Sequence, residues 1–259
     1  MAKEINNHFT STILDNKFSG PCIVIGSGPS SKQLAECPSW KNIYSISCNY
    51  SQINFPSQLY FYQDKDFIFK NKEFLSKKKY LGVSILPTSQ KALENKELMS
   101  DLGGFFINRV KYSKEPQWIK TKNSEKLQCS TPITGSIAIS MAYIMGFNPI
   151  IAVGFDAQKG SYSYLKHHPV FGKNNGRAAL MHADGQSEFL KKWGRSLNLI
   201  NCSDGNWSNE KKKLCNILPD MKFHNKKDSQ RKVEELFHEN LKANNSIFLK
   251  NWIRKDGYF

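Results

Sequence analysis

The stretch that decides the fold is residues 21–34, PCIVIGSGPSSKQL. Its apolar run, 21–25, predicts a short buried strand, and Gly26 and Gly28 predict a turn directly after that strand. Pro29 suits the first turn of the helix that we expect to follow. A strand, a glycine-containing turn and a helix in this order open a nucleotide-binding βαβ unit.

The glycine-containing loop is the first candidate binding segment. Glycine lets a backbone approach a phosphate closely, and a helix start offers free N–H groups to an anion. These properties predict substrate contacts by the loop residues Gly26, Ser27, Gly28, Pro29 and Ser30. The third glycine of the dinucleotide fingerprint is absent, so the loop is equally well explained as a plain strand-to-helix turn.

The rest of the chain repeats the alternation of strand and helix. We predict buried strands at 42–48, 59–63, 80–86, 105–110, 150–153 and 196–202, and helices at 136–147 and 188–197. This alternation predicts an α/β fold, a mainly parallel sheet with helices on both faces. The uncharged run 127–155 contains the turn signal Asn148-Pro149, so we expect a buried helix and a strand there instead of a membrane span.

The composition limits the class of protein to which the chain can belong. The 259 residues, at about 150 per domain, fit one large domain or one domain with a smaller insertion. A hydrophobic content of 39% excludes a wholly disordered chain, and the formal charge of +15 predicts an anionic partner. Six cysteines without a C-x-x-C pair predict free buried thiols of a cytosolic protein and do not support a zinc site. The first ten residues lack the apolar segment of a secretory signal, so a cytoplasmic location is expected.

Polar and small residues follow the predicted strands at their carboxyl ends. These residues are Asn49, Gln63, Asp64, Gly154 and Asp156. Open α/β sheets bind ligands at this edge, which predicts contacts with a substrate. Thr134 and Gly135 stand before the buried helix, where a hydroxyl and exposed amides can hold a phosphate. Capping of turns and helix ends explains each of these residues equally well.

A stretch rich in glycine and histidine, residues 157–188, interrupts the alternation. It is too long for an ordinary connection, which predicts a lid over an active site; a disordered insertion is the alternative. Histidine removes protons near neutral pH, so His167, His168 and His182 are candidate general bases, with Tyr164 beside them.

Taken in order, these motifs resemble a known family. The segments are GSGPS at 26–30, Cys48-Asn49, FYQ at 61–63 and ITGSIAISMAYIMGFNPIIAVGFD at 133–156. Together, over about residues 20–200, they resemble bacterial sialyltransferases of glycosyltransferase family 42, whose wider relatives include motility accessory factor glycosyltransferases and hydroxymethylpterin pyrophosphokinase-like proteins. The resemblance implies a modified Rossmann, GT-A-like domain at 1–156, a small lid subdomain at 157–188, and completion of the α/β domain with a basic tail at 189–259.

The resemblance also implies a reaction. Members of this family transfer a sugar from a CMP-linked donor with inversion, and they use no metal and no cofactor besides the nucleotide sugar. It places the nucleotide against the loop 26–30, Asn49, Gln63, Thr134 and Gly135. It places Tyr164 near the leaving phosphate, with Gln158 where the family has a lid tyrosine.

The catalytic histidine of the family stands in a Gly-His-Ser context, and this chain has Gly185-Gln186-Ser187 there. Glutamine cannot act as a general base, so His182 or His168 is the expected base, with Asp156 as a further catalytic candidate. Ser27 and Gln63 also replace asparagines of the family pattern. These departures leave the donor sugar open.

The leading hypothesis is therefore an inverting, metal-independent glycosyltransferase. Its acceptor is a glycan or, since lysine runs at 77–79, 191–192 and 211–213 could follow a phosphate backbone, hydroxymethylated DNA. Pyrophosphoryl transfer to a hydroxymethylpterin, with Mg²⁺ and ATP, is a further alternative, and a non-enzymatic nucleic-acid-binding protein is the last. The tail 246–259, with aromatic residues among lysines, predicts either peripheral contact with the inner membrane or packing onto the core or a neighbouring subunit, and symmetric self-association is expected for such a fold.

Overall fold

A computed structural model of the chain describes residues 17–62, 67, 70–71, 73–75, 81–86, 105–108, 117–120, 126–128, 134–156, 177–205, 210–221, 229, 231–232 and 235. Several predicted positions lie outside these residues. They are Gln63, Asp64, Gln158, Tyr164, His167 and His168, together with 157–176 of the predicted lid, the lysines 77–79 and the tail 246–259.

The strands form one large sheet and one small one. They are β1 (Cys22–Ile25), β2 (Tyr44–Cys48), β3 (Leu59–Tyr62), β4 (Leu81–Leu86), β5 (Phe105–Asn108), β6 (Gln117–Lys120), β7 (Lys126–Gln128), β8 (Ile150–Val153) and β9 (Leu199–Asn201). The large sheet has seven strands in the order β5-β4-β3-β2-β1-β8-β9, and every neighbouring pair in it is parallel. Each of the seven falls inside a predicted range, so the α/β fold with a parallel sheet is confirmed.

The centre of the sheet explains why these strands are apolar throughout. Val24 of β1 lies opposite Ile46 of β2 and Ala152 of β8, and all three are fully buried. Strands covered on both faces need apolar residues at every position rather than at alternate ones. The chain adds β2 to β5 on one side of β1, and β8 and β9 on the other. The strand order therefore reverses between β1 and β8, which is where open α/β sheets bind their ligands.

Helices cover both faces. On one face lie α3 (Thr134–Ile144) and α4 (Arg177–Trp193). On the other lie a 3₁₀ turn (Pro29–Lys32), α1 (Gln33–Glu36), a second 3₁₀ turn (Pro38–Asn42) and α5 (Leu214–Ile217); the short α2 (Ser51–Asn54) follows β2. The helix α3 is buried along most of its length, as its uniformly apolar sequence predicts. None of the described helices combines the length and the apolar character that crossing a bilayer requires.

Two features differ from the sequence prediction. The antiparallel pair β6–β7 was not predicted, because its residues are mostly polar and do not alternate with apolar ones. The helix predicted from 188 begins at Arg177, inside the stretch assigned to the lid. Its glycine and histidine content suggested a loop, but the helix is continuous from Arg177 to Trp193, and Phe189 and Leu190 near its C-terminal end pack into the same core as α3. Packing has overridden the weak helix propensity of Gly185.

The cysteines give a further correction. Cys37 and Cys215 form a disulfide, with Cα atoms 5.5 Å apart. The expectation of free thiols is therefore wrong for this pair, whereas Cys22, Cys48 and Cys202 are free and buried. The two bonded cysteines are 178 residues apart in sequence, and only the packing of α1 beside α5 brings them together.

Candidate active site

The loop after β1 and the loop after β8 are joined across the point where the strand order reverses. The N–H of Gly26 donates to the carbonyl of Val153 at 2.7 Å, and the N–H of Gly28 donates to the carbonyl of Gly154 at 2.9 Å. In return, the N–H of Gly154 donates to the hydroxyl of Ser30 at 3.1 Å. The two loops therefore form a continuous floor along this part of the sheet edge.

The glycines of this floor are explained by its close packing. A Cβ atom on Gly26 would lie within 3.0 Å of the carbonyl of Gly154, and a Cβ atom on Gly28 would meet both that carbonyl and the carboxylate of Asp156. Gly154 also has a φ of +78°, which favours glycine. A side chain on Gly26, Gly28 or Gly154 would therefore point into the opposite loop.

Most N–H groups in and directly after the glycine-containing loop are already bonded within the protein. Besides Gly26 and Gly28, the N–H of Ser30 donates to Asp156 Oδ2 at 2.8 Å, and the N–H of Ser31 donates to the carbonyl of Gly28 at 3.0 Å. The sequence argument that this helix start offers free N–H groups is therefore wrong for these four residues. Pro29 does occupy the first turn, as predicted. Substrate binding by the loop stays a prediction.

Asp156 lies beneath this loop and is 2% exposed. Its carboxylate accepts hydrogen bonds from the N–H and the hydroxyl of Ser30 and, at 2.8 Å, from the N–H of Asp204 in the loop after β9. Asp204 in turn pairs with the exposed Lys211. The candidate catalytic carboxylate is thus directed at protein donors, which agrees with the capping interpretation of this residue.

Asn49 and Thr134 come together one strand further along the sheet edge. Asn49 has a φ of 50°, and its N–H donates to the carbonyl of Phe61 at 2.8 Å, which ties the end of β2 to the end of β3. Its side-chain Nδ2 lies 3.4 Å from Thr134 Oγ1. This contact connects the end of β2 to the first residue of α3. The structure therefore places together two residues that the sequence singled out separately.

Gly135 has Gln186 as a neighbour. A Cβ atom on Gly135 would lie 3.1 Å from Gln186 Nε2 and within 3.0 Å of the ring of Phe155. Gln186 is half-buried, and the residues after it on α4, Phe189 and Leu190, pack into the same core as α3. Gln186 of α4, which replaces the expected catalytic histidine, therefore lies beside the first turn of α3.

His182 precedes Gln186 by four residues on the same helix. Positions four apart share one face of an α-helix and lie about 6 Å apart along its axis. Because Gln186 is level with the first turn of α3, position 182 lies one turn further toward the N-terminus of α4.

Sequence reasoning missed three residues near this edge. Ser136 is fully buried in the first turn of α3, and among the described residues its hydroxyl has no hydrogen-bond partner. Gln33 donates to the carbonyl of Cys202 at 2.8 Å and accepts from the N–H of Leu214, and Ser203 accepts from the N–H of Phe155. Only Ser136 had a sequence signal, its place in the motif Thr134-Gly135-Ser136.

Comparison with known proteins gives a limited result. No family model matches the chain, and no curated protein sequence matches it. A solved structure described as a MAf glycosyltransferase from Magnetospirillum magneticum AMB-1 is similar at 14% identity and a TM-score of 0.49. The alignment covers 98% of this chain and 44% of that one, so this chain spans less than half the length of that protein.

Proposed function

We propose that this protein is a glycosyltransferase that binds a nucleotide sugar at the carboxyl edge of its sheet, between the end of β2 and the start of α3. The observation that carries the proposal is the contact between Asn49 and Thr134, at 3.4 Å, beside Gly135 and Gln186. Three of these residues match the nucleotide-contacting motifs of the family that the sequence resembles, and Gln186 matches the position of its catalytic histidine.

The start of α3 suits the donor phosphate. This helix has 11 residues, and the first N–H groups of a helix attract an anion. Thr134, the first residue of α3, supplies a hydroxyl, and the absence of a Cβ atom at Gly135 makes room for the amide of Gln186 beside it. Stabilisation of a leaving phosphate by a helix start requires no metal ion, which is the basis for proposing a metal-independent reaction.

We assign the general base to His182. The acceptor oxygen attacks the anomeric carbon from the face opposite the donor phosphate, which inverts that centre. As the new carbon–oxygen bond forms, the acceptor proton passes to the imidazole of His182 and the bond to the phosphate oxygen breaks, with its electron pair leaving on the nucleotide. Gln186 cannot take a proton but can hold a sugar or phosphate oxygen through its amide N–H groups.

Donor hydrolysis with a panel of CMP-, UDP- and GDP-sugars tests the proposal. We expect turnover of one nucleotide class, unchanged by EDTA, and a loss of at least about 100-fold in kcat for His182→Ala. Thr134→Val should raise KM by about 10-fold through the lost hydroxyl. Ser196→Ala is the matched control, because Ser196 is an exposed serine bonded to the carbonyl of Trp193 at the far end of α4. If the protein neither turns over nor binds any donor of the panel, the proposed function is contradicted.

Exposed lysines favour a second candidate, glycosyl transfer to DNA. Lys191 and Lys192 are exposed at the end of α4, and Lys211, Lys212 and Lys213 are exposed before α5. Neutralisation of phosphates by such residues makes affinity fall steeply with salt. Fluorescence anisotropy with a labelled duplex at increasing salt measures this dependence. Absence of binding at low salt would eliminate the candidate and leave a glycan as the acceptor.

A further inference from the structure

The surroundings of Asp156 resemble those of a bound anion. Its carboxylate is 2% exposed and accepts from two backbone N–H groups and one hydroxyl, which belong to Ser30 and Asp204. No lysine or arginine among the described residues forms an ion pair with it. Removing a carboxylate from water is costly unless hydrogen bonds replace the lost solvent. Here three donors from two other loops provide that replacement.

The neighbouring backbone is shaped around this carboxylate. Gly28 lies so close to Asp156 Oδ2 that a Cβ atom at position 28 would overlap it. A Cβ atom at position 205 would likewise lie within 3.0 Å of the backbone carbonyls of Phe155 and Asp156. The loops after β1, β8 and β9 thus converge on a single side chain.

We propose that Ser30 and Asp204 form an internal anion site that is filled by the carboxylate of Asp156, which makes Asp156 a positioning residue. The carboxylate fixes the glycine-containing loop and the loop after β9 relative to the end of β8. It occupies the donors that a phosphate would otherwise use there, and its charge repels a second anion. This last step rests on the proposed function: the carboxylate of Asp156 directs the donor phosphate to the start of α3 rather than to the glycine-containing loop.

Chemical rescue tests the anion site without requiring any activity. Asp156→Ala leaves three donors unpaired, and we expect the melting temperature to fall by roughly 5–10 °C. Formate, which supplies a free carboxylate of the right size, should restore at least half of that loss in a concentration-dependent way. Asp220→Ala, which removes an exposed aspartate from a 3₁₀ turn, is the control and should show neither the loss nor the rescue. If formate raises the melting temperature of Asp156→Ala no more than that of Asp220→Ala, the anion site is contradicted.

A second variant covers the case in which Asp156→Ala does not fold. Asp156→Asn keeps the side-chain shape but presents an N–H₂ group to one of the three donors. Hydrogen exchange should then become at least about 10-fold faster at the amides of Ser30 and Asp204. The amide of Cys22, which donates to Pro149 elsewhere on the sheet, should be unchanged. Equal exchange at Ser30 and Asp204 in both proteins would overturn the positioning role.

Kinetics connect this inference to the proposed function. If Asp156 acts by keeping the phosphate on the α3 side, Asp156→Asn should let the donor also bind unproductively at the glycine-containing loop, which lowers kcat and KM by the same factor and leaves kcat/KM unchanged. A fall in kcat with KM unchanged would contradict a positioning role and support the catalytic one. A wild-type protein that turns over no donor would remove the glycosyltransferase proposal, whereas formate rescue would still decide the anion site.

Discussion

Replacement of Gly26 by alanine is the sharpest test of the loop arrangement at the sheet edge. The new Cβ atom would lie within 3.0 Å of the carbonyl oxygen and carbon of Gly154. Both obstacles are backbone atoms, so no rotamer change can relieve the overlap and the two loops must separate. Separation removes the hydrogen bonds from Gly26 to Val153, from Gly28 to Gly154 and from Gly154 to Ser30.

The expected loss follows from those contacts. Three buried hydrogen bonds at about 1 kcal/mol each, with about 1–2 kcal/mol of overpacking, give roughly 4–5 kcal/mol. This is a large part of the 5–15 kcal/mol by which a domain is typically stable. We expect the melting temperature to fall by about 10 °C, at roughly 2–3 °C per kcal/mol for a chain of this size.

Urea denaturation of matched variants measures this loss. Ser27→Ala, in the same loop and at a half-exposed position, is the control and should stay within about 0.5 kcal/mol of wild type. Gly135→Ala should cost less than Gly26→Ala, about 1–3 kcal/mol, because its obstacles are the side chains of Phe155 and Gln186, which can shift. If Gly26→Ala unfolds at the same urea concentration as Ser27→Ala, the two loops are not in contact as described.

Four further predictions concern Cys202, the disulfide and Asn49. Burial raises the pKa of Cys202 to about 12, although Lys212 and Lys211 lower it somewhat. The native thiol should therefore resist alkylation at pH 8 and react only after denaturation, which mass spectrometry measures. The same shift means that the unfolded thiol loses its proton first, so stability should decline as the pH rises from about 9 toward 12; a flat urea midpoint over that range would contradict it. Cys215→Ser should lower the free energy of unfolding by about 2–5 kcal/mol, and a reducing agent should then have no additional effect. Asn49→Ala should weaken donor binding by about 10-fold, measured by calorimetry, through loss of the contact with Thr134.

Much of the fold was predictable because apolar runs report burial on both faces of a sheet. The runs at 21–25 and 150–153 contain β1 and β8, and the helix predicted at 136–147 overlaps α3. The early start of α4 was not predictable from composition, since its glycine and histidine content suggests a loop. Phe189 and Leu190, near the C-terminal end of that helix, pack into the core that α3 also enters, a long-range contact that no local pattern reports.

For the candidate site, too, the sequence indicated the residues but not their contacts. The residue types were readable from sequence, because a polar residue after an apolar strand marks the edge of a parallel sheet. Their partners were not readable. The contact between Asn49 and Thr134 joins positions 85 residues apart, and the contact between Asp156 and Ser30 joins positions 126 apart.

Local periodicity and turn chemistry were thus sufficient to specify a parallel α/β sheet and to predict the edge at which we propose that it binds a ligand. Only the tertiary structure decided which donors at that edge are already bonded. The N–H groups of Gly26, Gly28 and Ser30 look open in the sequence, yet the end of β8, the loop after it and the carboxylate of Asp156 accept their hydrogen bonds. A hydrogen bond depends on which groups approach within about 3 Å, and that distance is set by how distant strands pack together.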